Sequence, residues 1–323
     1  MSSDARERSA ADAEVPGVYT SLAALTRLQY RARRFGFRAR QPVGSLLAGR
    51  HASRVRGRGL DFEEVRAYLP GDDVRAIDWR VTARTGEPHT RVYNEEKDRP
   101  ALVVVDQRLA MFYGTRLSLK SVTAAEAAAL AAWRVFRSGD RIGAVVFDDR
   151  DLVALRPHRS RGQVMRILQA ITEKNRALRA ESDVAPSPGM LNQALERALR
   201  LVDHDHAVLV ASDFDGADSD TRRLVTALSE HNDVIVMLVL DPSSKDLPEK
   251  GRAVVSGGEL QLQLDVGRPG ERAALLSVAS RRIKPVLGWT RQLGIPVLPL
   301  STAEDAAAQI ARLLGAGLPR RRA

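Results

Sequence analysis

The chain contains no cysteine among its 323 residues. That excludes a disulfide scaffold, a thiolate metal centre and a cysteine nucleophile, and it fits a reducing compartment. Long apolar runs are missing too. Val234 to Leu240 is among the longest, which is strand length and far short of a membrane span. Met1 to Glu14 is polar and mixed in charge, without the apolar run of a leader peptide. The expectation is a soluble, cytoplasmic protein, with peripheral contact at the inner membrane as the alternative. Nucleotide and hydrolase signatures are also lacking: there is no Gly-x-x-x-x-Gly-Lys loop and no Gly-x-Ser-x-Gly elbow. An aspartyl nucleophile at Asp106 would want a partner carboxylate two residues on, where Arg108 stands instead. No catalytic group is visible, and the expectation is a protein that is not an enzyme.

Acidic charge is absent from one long stretch. Between Val15 and Leu60 there is no Asp or Glu, while ten arginines occur, among them Arg27, Arg31, Arg33, Arg34, Arg38 and Arg40. Those ten positives equal the net charge of the whole chain, +10. The pI near 10.4 therefore describes a local basic arm, joined by a short tail at Arg320 to Arg322. Val18, Leu22, Leu25, Leu28, Ala32 and Phe35 recur at helical spacing within the arm, predicting an amphipathic helix from Tyr19 to about Phe35. Its readings are a helix docked on its own domain or on a partner, a nucleic-acid backbone ligand, and an anionic membrane ligand.

Hydrophobic residues at 44% suffice for a core, and the length allows one large domain or two. Residues 1–44 read as the arm, 45–98 as a charged segment, 99–315 as an α/β domain and 316–323 as the tail. From residue 100 strands and helices alternate. Ala101 to Asp106, Arg141 to Phe147, His206 to Ala211, Asp233 to Leu240 and Ile295 to Leu300 read as strands. Helices are expected at Leu117 to Phe136, Ser160 to Glu173, Leu191 to Val202, Asp218 to Ser229, Glu271 to Leu293 and Ala303 to Leu314. This spacing argues an open, mostly parallel, Rossmann-like sheet with helices on both faces.

Ligands of such sheets sit beyond the carboxyl ends of the strands, where Asp106 ends one strand and Asp213 and Asp215 follow another. Asp106 and Asp213 are weak candidates for magnesium, because hard cations want several oxygen ligands. His204 and His206 lie two apart in Asp203-His204-Asp205-His206, and two imidazoles without a third ligand make a poor metal site. Asp148, Asp149 and Asp151 read as turn residues.

The densest cluster of charge runs from Asp61 to Arg84. Asp61, Glu63, Glu64, Asp72, Asp73 and Asp78 alternate with Arg66, Arg75, Arg80 and Arg84, with Tyr68 and Trp79 interleaved. Arg66, Arg75 and Arg84 are expected to make bidentate contacts to Asp61, Asp72, Asp73, Asp78 or Glu95 as a structural network. The sharper alternative is a metal-dependent hydrolase using Asp72, Asp73 and Asp78.

The ordered run Gly59-Leu60-Asp61-Phe62-Glu63, Arg66, Tyr68, Pro70-Gly71-Asp72-Asp73, Arg75, Ile77-Asp78-Trp79, Ala83-Arg84 and Glu95 resembles the signature of the bacterial family called domain of unknown function 58. The resemblance implies a von Willebrand factor A-like domain from about Arg99 to Leu314. It also implies partnership with MoxR-type AAA+ ATPases in assembling or remodelling a client protein. Many relatives carry two N-terminal membrane helices, where this chain has its basic arm. The adhesion site of such domains takes Asp-x-Ser-x-Ser, a threonine and a further aspartate. Asp106 and Asp213 match the aspartates, whereas Arg108, Ala110 and about Gly189 stand at the other three places. The resemblance thus implies a degenerate cation site, and an interaction surface at Asp106, Arg108, Asp213 and Asp215. The expected function is that of a non-enzymatic adaptor, with nucleic-acid binding through the arm as the alternative.

Overall fold

A computed structural model of the chain describes residues 16–34, 60–95, 99–180, 184–244, 252–256, 261–265 and 269–314. The chain divides into two compact units, one of residues 1–39 and 99–323 and one of residues 40–98. Among the described residues of the larger unit the first helix is α1 (Leu22–Arg27), which continues as 3₁₀ turns at Leu28–Tyr30 and Ala32–Arg34. The arm is therefore not the single helix that its periodicity predicts. Arg38 and Arg40 lie outside the described residues.

The smaller unit pairs strand β1 (Leu60–Ala67) with β2 (His89–Glu95), antiparallel. A 3₁₀ turn at Val74–Ala76 and helix α2 (Trp79–Thr85) lie between them. The strand reading of Leu60–Ala67 is hidden in the sequence because the pairing slips between Phe62 and Glu64. A bulge inserts one residue into the period of two. The local logic of α2 is clearer: the Asp78 carboxylate caps the N–H groups of Arg80 and Val81, and Gly86 at φ 81° ends the helix.

The larger unit continues with β3 (Ala101–Asp106), α3 (Lys120–Arg137), β4 (Ile142–Phe147), β5 (Leu152–His158), α4 (Arg161–Ala177), α5 (Met190–Leu199) and β6 (Ala207–Ser212). Then come α6 (Ser219–His231), β7 (Asp233–Leu240), the hairpin of β8 (Arg252–Ser256) and β9 (Gln261–Asp265), α7 (Pro269–Gln292), β10 (Val297–Ser301) and α8 (Ala306–Leu313). Six strands form one sheet in the order β10-β7-β6-β3-β4-β5, parallel except for β5, which runs antiparallel to β4. Val103 and Val105 face the side covered by α3, α4 and α8, and Leu102 and Val104 face the side covered by α5, α6 and α7. Burial on both faces explains why β3 reads as an unbroken apolar run.

Helix α3 is buried almost all round, Ala127 to Ala132 included, because the arm covers what the sheet, α4 and α8 leave open. Leu25 and Ala32 of the arm are fully buried. The Trp133 indole N–H donates to the Leu25 carbonyl at 3.1 Å, and the Arg161 guanidinium lies 5.5 Å from the Trp133 ring centre. A buried polar relay continues inward. The Thr20 N–H donates to Asn175 Oδ1 at 2.8 Å, Asn175 Nδ2 to Gln107 Oε1 at 2.9 Å, and Gln107 Nε2 to the Ser121 carbonyl at 2.9 Å. At the far end, Arg31 makes two bonds of 2.6 Å to Asp305, the N-cap of α8.

Glu126 of α3 lies within electrostatic reach of that ion pair. Burial first, and the Asp305 carboxylate second, push its carboxyl up to about 7 against the opposing pull of Arg31. The folded chain thus favours neutral Glu126. Its contribution is fully present below the unfolded carboxyl range and is lost as pH rises toward 7. Glu126→Gln is expected to flatten this decline and to add about 1–3 kcal/mol near pH 8. Urea midpoints of both proteins near pH 5 and pH 8 check it, and a decline that persists unchanged in the variant counts against the assignment.

Candidate functional site

Strand β3 is followed in chain order by β4 on one side, while β6 and β7 lie on its other side. Loops that leave adjacent strand ends in opposite directions open a crevice, and open α/β sheets bind their ligands there. Asp106 ends β3 and Ser212 ends β6 at this point.

The crevice is filled from within. Asp106 Oδ1 accepts the Arg108 main-chain N–H and its Nε–H, both at 3.0 Å. Asp106 Oδ2 accepts Arg108 Nη2 and Ser212 Oγ, both at 2.7 Å. Arg108 is only 1% exposed. Its remaining donors reach the carbonyls of Pro188 at 3.2 Å and Asp215 at 3.1 Å, and its guanidinium lies 5.6 Å from the Phe147 ring centre. Burial lowers the Arg108 pKa, but the Asp106 charge and its hydrogen bonds raise it further, so the guanidinium stays charged. The fork geometry of arginine suits a carboxylate bidentately, which a lysine could not match.

A second internal cation sits alongside. The Lys120 ammonium contacts Asp213, whose other oxygen accepts the Asp215 N–H at 3.0 Å. Burial resists ionisation of Asp213, and the Lys120 ammonium outweighs it, holding the carboxyl below the usual range. The loops are tied together by Asp149, which accepts the Leu109 N–H at 2.5 Å and the Ser187 N–H at 2.7 Å. Phe214, buried at φ 55°, packs edge-on to Trp289 at 5.3 Å. A left-handed conformation at a bulky residue is a strain that the surrounding contacts hold in place. Next to it, Gly216 has φ 77°, and a Cβ there would lie 2.5 Å from Pro188 Cβ. Beyond the crevice, Asp241 fastens the loop after β3 by accepting Thr115 N–H and Oγ1, each at 2.8 Å, and Thr302 Oγ1 at 2.6 Å. Tyr113 and Leu117 on that loop remain exposed.

These contacts correct one expectation. Asp106 and Arg108 are buried and cannot touch a partner; they position the loops. The donor set also does not fit a divalent cation. The two aspartates that would ligate it already face a guanidinium and an ammonium. Lys120, Asp149, Ser212 and Asp241 escape sequence reasoning. Asp149 is indistinguishable there from the turn residue Asp148, which does cap its turn at the N–H groups of Arg150 and Asp151. Of the histidines, His206 Nδ1 bonds the His204 carbonyl at 2.9 Å, while His204 is exposed beside Asp205.

In the smaller unit the charged signature separates into two pairs and a free face. Arg66 makes two bonds of 2.8 Å to Asp72, which also accepts the Leu69 N–H. Asp78 caps α2 and accepts Arg91 Nε at 2.8 Å. The Arg66 guanidinium beside Asp72 and the Arg91 guanidinium beside Asp78 hold both carboxyls below their ordinary range. Asp73 is spent on capping its own 3₁₀ turn through the Arg75 N–H at 3.0 Å. Arg75 and Arg84, expected in the network, are exposed and make no ion pair among the described residues, because these carboxylates are already committed. The side chains of Asp61 and Glu95 lie outside those described. The three aspartates thus serve as caps and ion-pair partners rather than as a convergent carboxylate site.

Residues 64–282 match the model of a family described as protein of unknown function DUF58. An uncharacterized protein of Mycobacterium tuberculosis is 29% identical over 279 residues, 85% of each chain. One of Mycobacterium bovis matches to the same extent. Among solved structures, an aerotolerance-related membrane protein from Bacteroides fragilis aligns with a TM-score of 0.36 and 10% identity, covering 67% of this chain and 96% of that one.

Removing one partner of a buried ion pair strands the other charge. Arg108→Met is therefore expected to cost about 3–5 kcal/mol in denaturant unfolding. The double variant Asp106→Asn, Arg108→Met should recover much of that loss. A double variant no more stable than the single one would mean that Arg108 acts through packing alone.

Proposed function

The chain belongs to the family of proteins of unknown function DUF58, and from that premise we propose that it is a non-enzymatic binding module, an adaptor that links a partner protein to a client. One observation carries the reading: the crevice at the strand ends is closed by the chain's own Arg108 against Asp106. A site whose carboxylates are neutralised internally and whose guanidinium is buried has no group free to act on a substrate. Such a pair rigidifies the loops around it, and loops held by a rigid scaffold are where binding surfaces are built. The strand order with one antiparallel edge supports the finer reading of a von Willebrand factor A-like domain whose cation site has been replaced by fixed side-chain charges. The partner class, a AAA+ ATPase of the MoxR type, follows from the family resemblance, and a cytoplasmic location goes with it.

The contact surface is the exposed part of the loop after β3, with Tyr113 at 46% and Leu117 at 57% exposure. The nucleic-acid reading is weakened for the first part of the arm, where Leu25 is buried and Arg31 is engaged by Asp305. The hydrolase reading is weakened by the capping and pairing of Asp72, Asp73 and Asp78.

The test is direct binding of the purified full chain to the MoxR-type ATPase of the same cells. The Tyr113→Ala, Leu117→Ser double variant should bind about tenfold more weakly, in keeping with loss of an aromatic anchor. Leu117→Ser alone, which removes no hydrogen bond, should weaken binding with the unfolding midpoint unchanged, whereas Tyr113→Ala also gives up its bond to Ser243 Oγ at 3.0 Å. Absence of any binding by the parent protein, or binding indifferent to the double variant, would overturn the adaptor surface.

A further inference from the structure

The smaller unit carries a face that none of the preceding contacts explains. The segment from Leu69 to Ile77 leaves the strands as a closed loop. At its start the Tyr68 N–H donates to the Pro88 carbonyl at 2.8 Å, and at its end the Asp78 N–H donates to the His89 carbonyl at 2.8 Å. Three large apolar side chains ride on this loop and on the helix that follows it: Leu69 is 58% exposed, Val74 60% and Trp79 70%. Trp79 is the most exposed large hydrophobic residue among those described. A tryptophan so far out of the core has no folding reason to be there.

Charge accompanies it. Arg75, Arg80 and Arg84 are exposed and make no ion pair among the described residues, and Arg80 and Arg84 are one helical turn apart. Of the nearby acids, Asp72 and Asp78 are paired with Arg66 and Arg91, and the exposed Asp73 caps its own turn at the Arg75 N–H. In sequence, the chain reaches this unit through the stretch from Val15 to Leu60 that holds ten arginines and no acid.

We infer that this loop and the helix after it, with Leu69, Val74 and Trp79 as apolar anchors and the exposed Arg75, Arg80 and Arg84 interleaved with them in sequence, dock on an anionic lipid surface. Indole at the headgroup level, aliphatic side chains below it and arginines against the phosphates are what an interfacial site requires. Stable peripheral binding takes two signals, an apolar one and a basic one, and this part of the chain supplies both. Single-stranded nucleic acid would use the tryptophan and the arginines but would leave Leu69 and Val74 without a role, since neither stacks nor carries charge. The inference stands apart from the adaptor reading and needs no ATPase.

Trp79 reports on its own surroundings, because the other two tryptophans, Trp133 and Trp289, are buried at 1% and 3% exposure. The full chain is mixed with phosphatidylcholine vesicles, with vesicles in which about a third of the lipid is phosphatidylglycerol, and with an oligothymidylate. The expected result is a blue shift of the emission, protection from iodide quenching and co-sedimentation with the anionic vesicles alone, weakened by added salt. Leu69→Ser with Val74→Ser, and separately Arg80→Glu with Arg84→Glu, should each weaken that binding about tenfold. All four positions are solvent-facing, so both variants should keep the parent unfolding midpoint. Three results would overturn the inference: no response to anionic vesicles, vesicle binding untouched by either double variant, or an emission shift with the oligothymidylate instead.

Discussion

The bidentate pair between Asp106 and Arg108 is the constraint around which the larger unit is arranged. A carboxylate with no solvent exposure at the end of a central strand is tolerable only with a partner, and the guanidinium two residues on supplies it. Arg108 in turn must satisfy its other donors, and it does so on the carbonyls of Pro188 and Asp215, which come from two different loops. Two strand-end loops and the connection between α4 and α5 are thereby gathered at one point. The left-handed backbone at Phe214 and Gly216, and the close approach of Gly216 to Pro188, are the local cost of that convergence.

The arm belongs to the same system rather than lying outside it. Its first turn is connected through Thr20, Asn175 and Gln107 to Ser121, and Gln107 adjoins Arg108 in sequence. The Gly17 carbonyl accepts the Leu119 N–H at 2.7 Å, fastening the arm to the far end of the same loop. Helix α3 can afford its run of alanines because the arm, α4, α8 and the sheet approach it closely from all sides. Small side chains permit that approach, and no exposed stripe is left to be polar. A basic amphipathic arm therefore stabilises the scaffold of the crevice over residues 16–34, whatever the arginines beyond them contact.

Much of the architecture is legible in the chain itself. The unbroken apolar runs at Ala101 to Asp106 and Asp233 to Leu240 mark strands covered on both faces, and the helices between them follow their own periodicity. Helix α2 and strand β1 are harder to see. The first is a short capped turn within a charged stretch, and the second carries a bulge at Phe62 and Glu64 that disguises its alternation. The candidate site divides in the same way. That Arg108 can pair with Asp106 or Asp213 is an expectation that comes with the family resemblance. The choice of Asp106 over Asp213, and the pairing of Lys120 with Asp213, depends on which side chain each loop delivers to the crevice.

Composition and periodicity by themselves determined the class of fold, the position of the carboxylates at the strand ends and the basic character of the arm, because burial periodicity and charge are properties of residues in order. What only the tertiary structure decided is which charges are spent and which remain. Arg66, Arg91, Arg108 and Lys120 are engaged, whereas Arg75, Arg80 and Arg84 stand exposed. Arginines alike in sequence differ in this respect because pairing is set by distances of about 3 Å, and such distances are fixed when loops from separate strands close on one another.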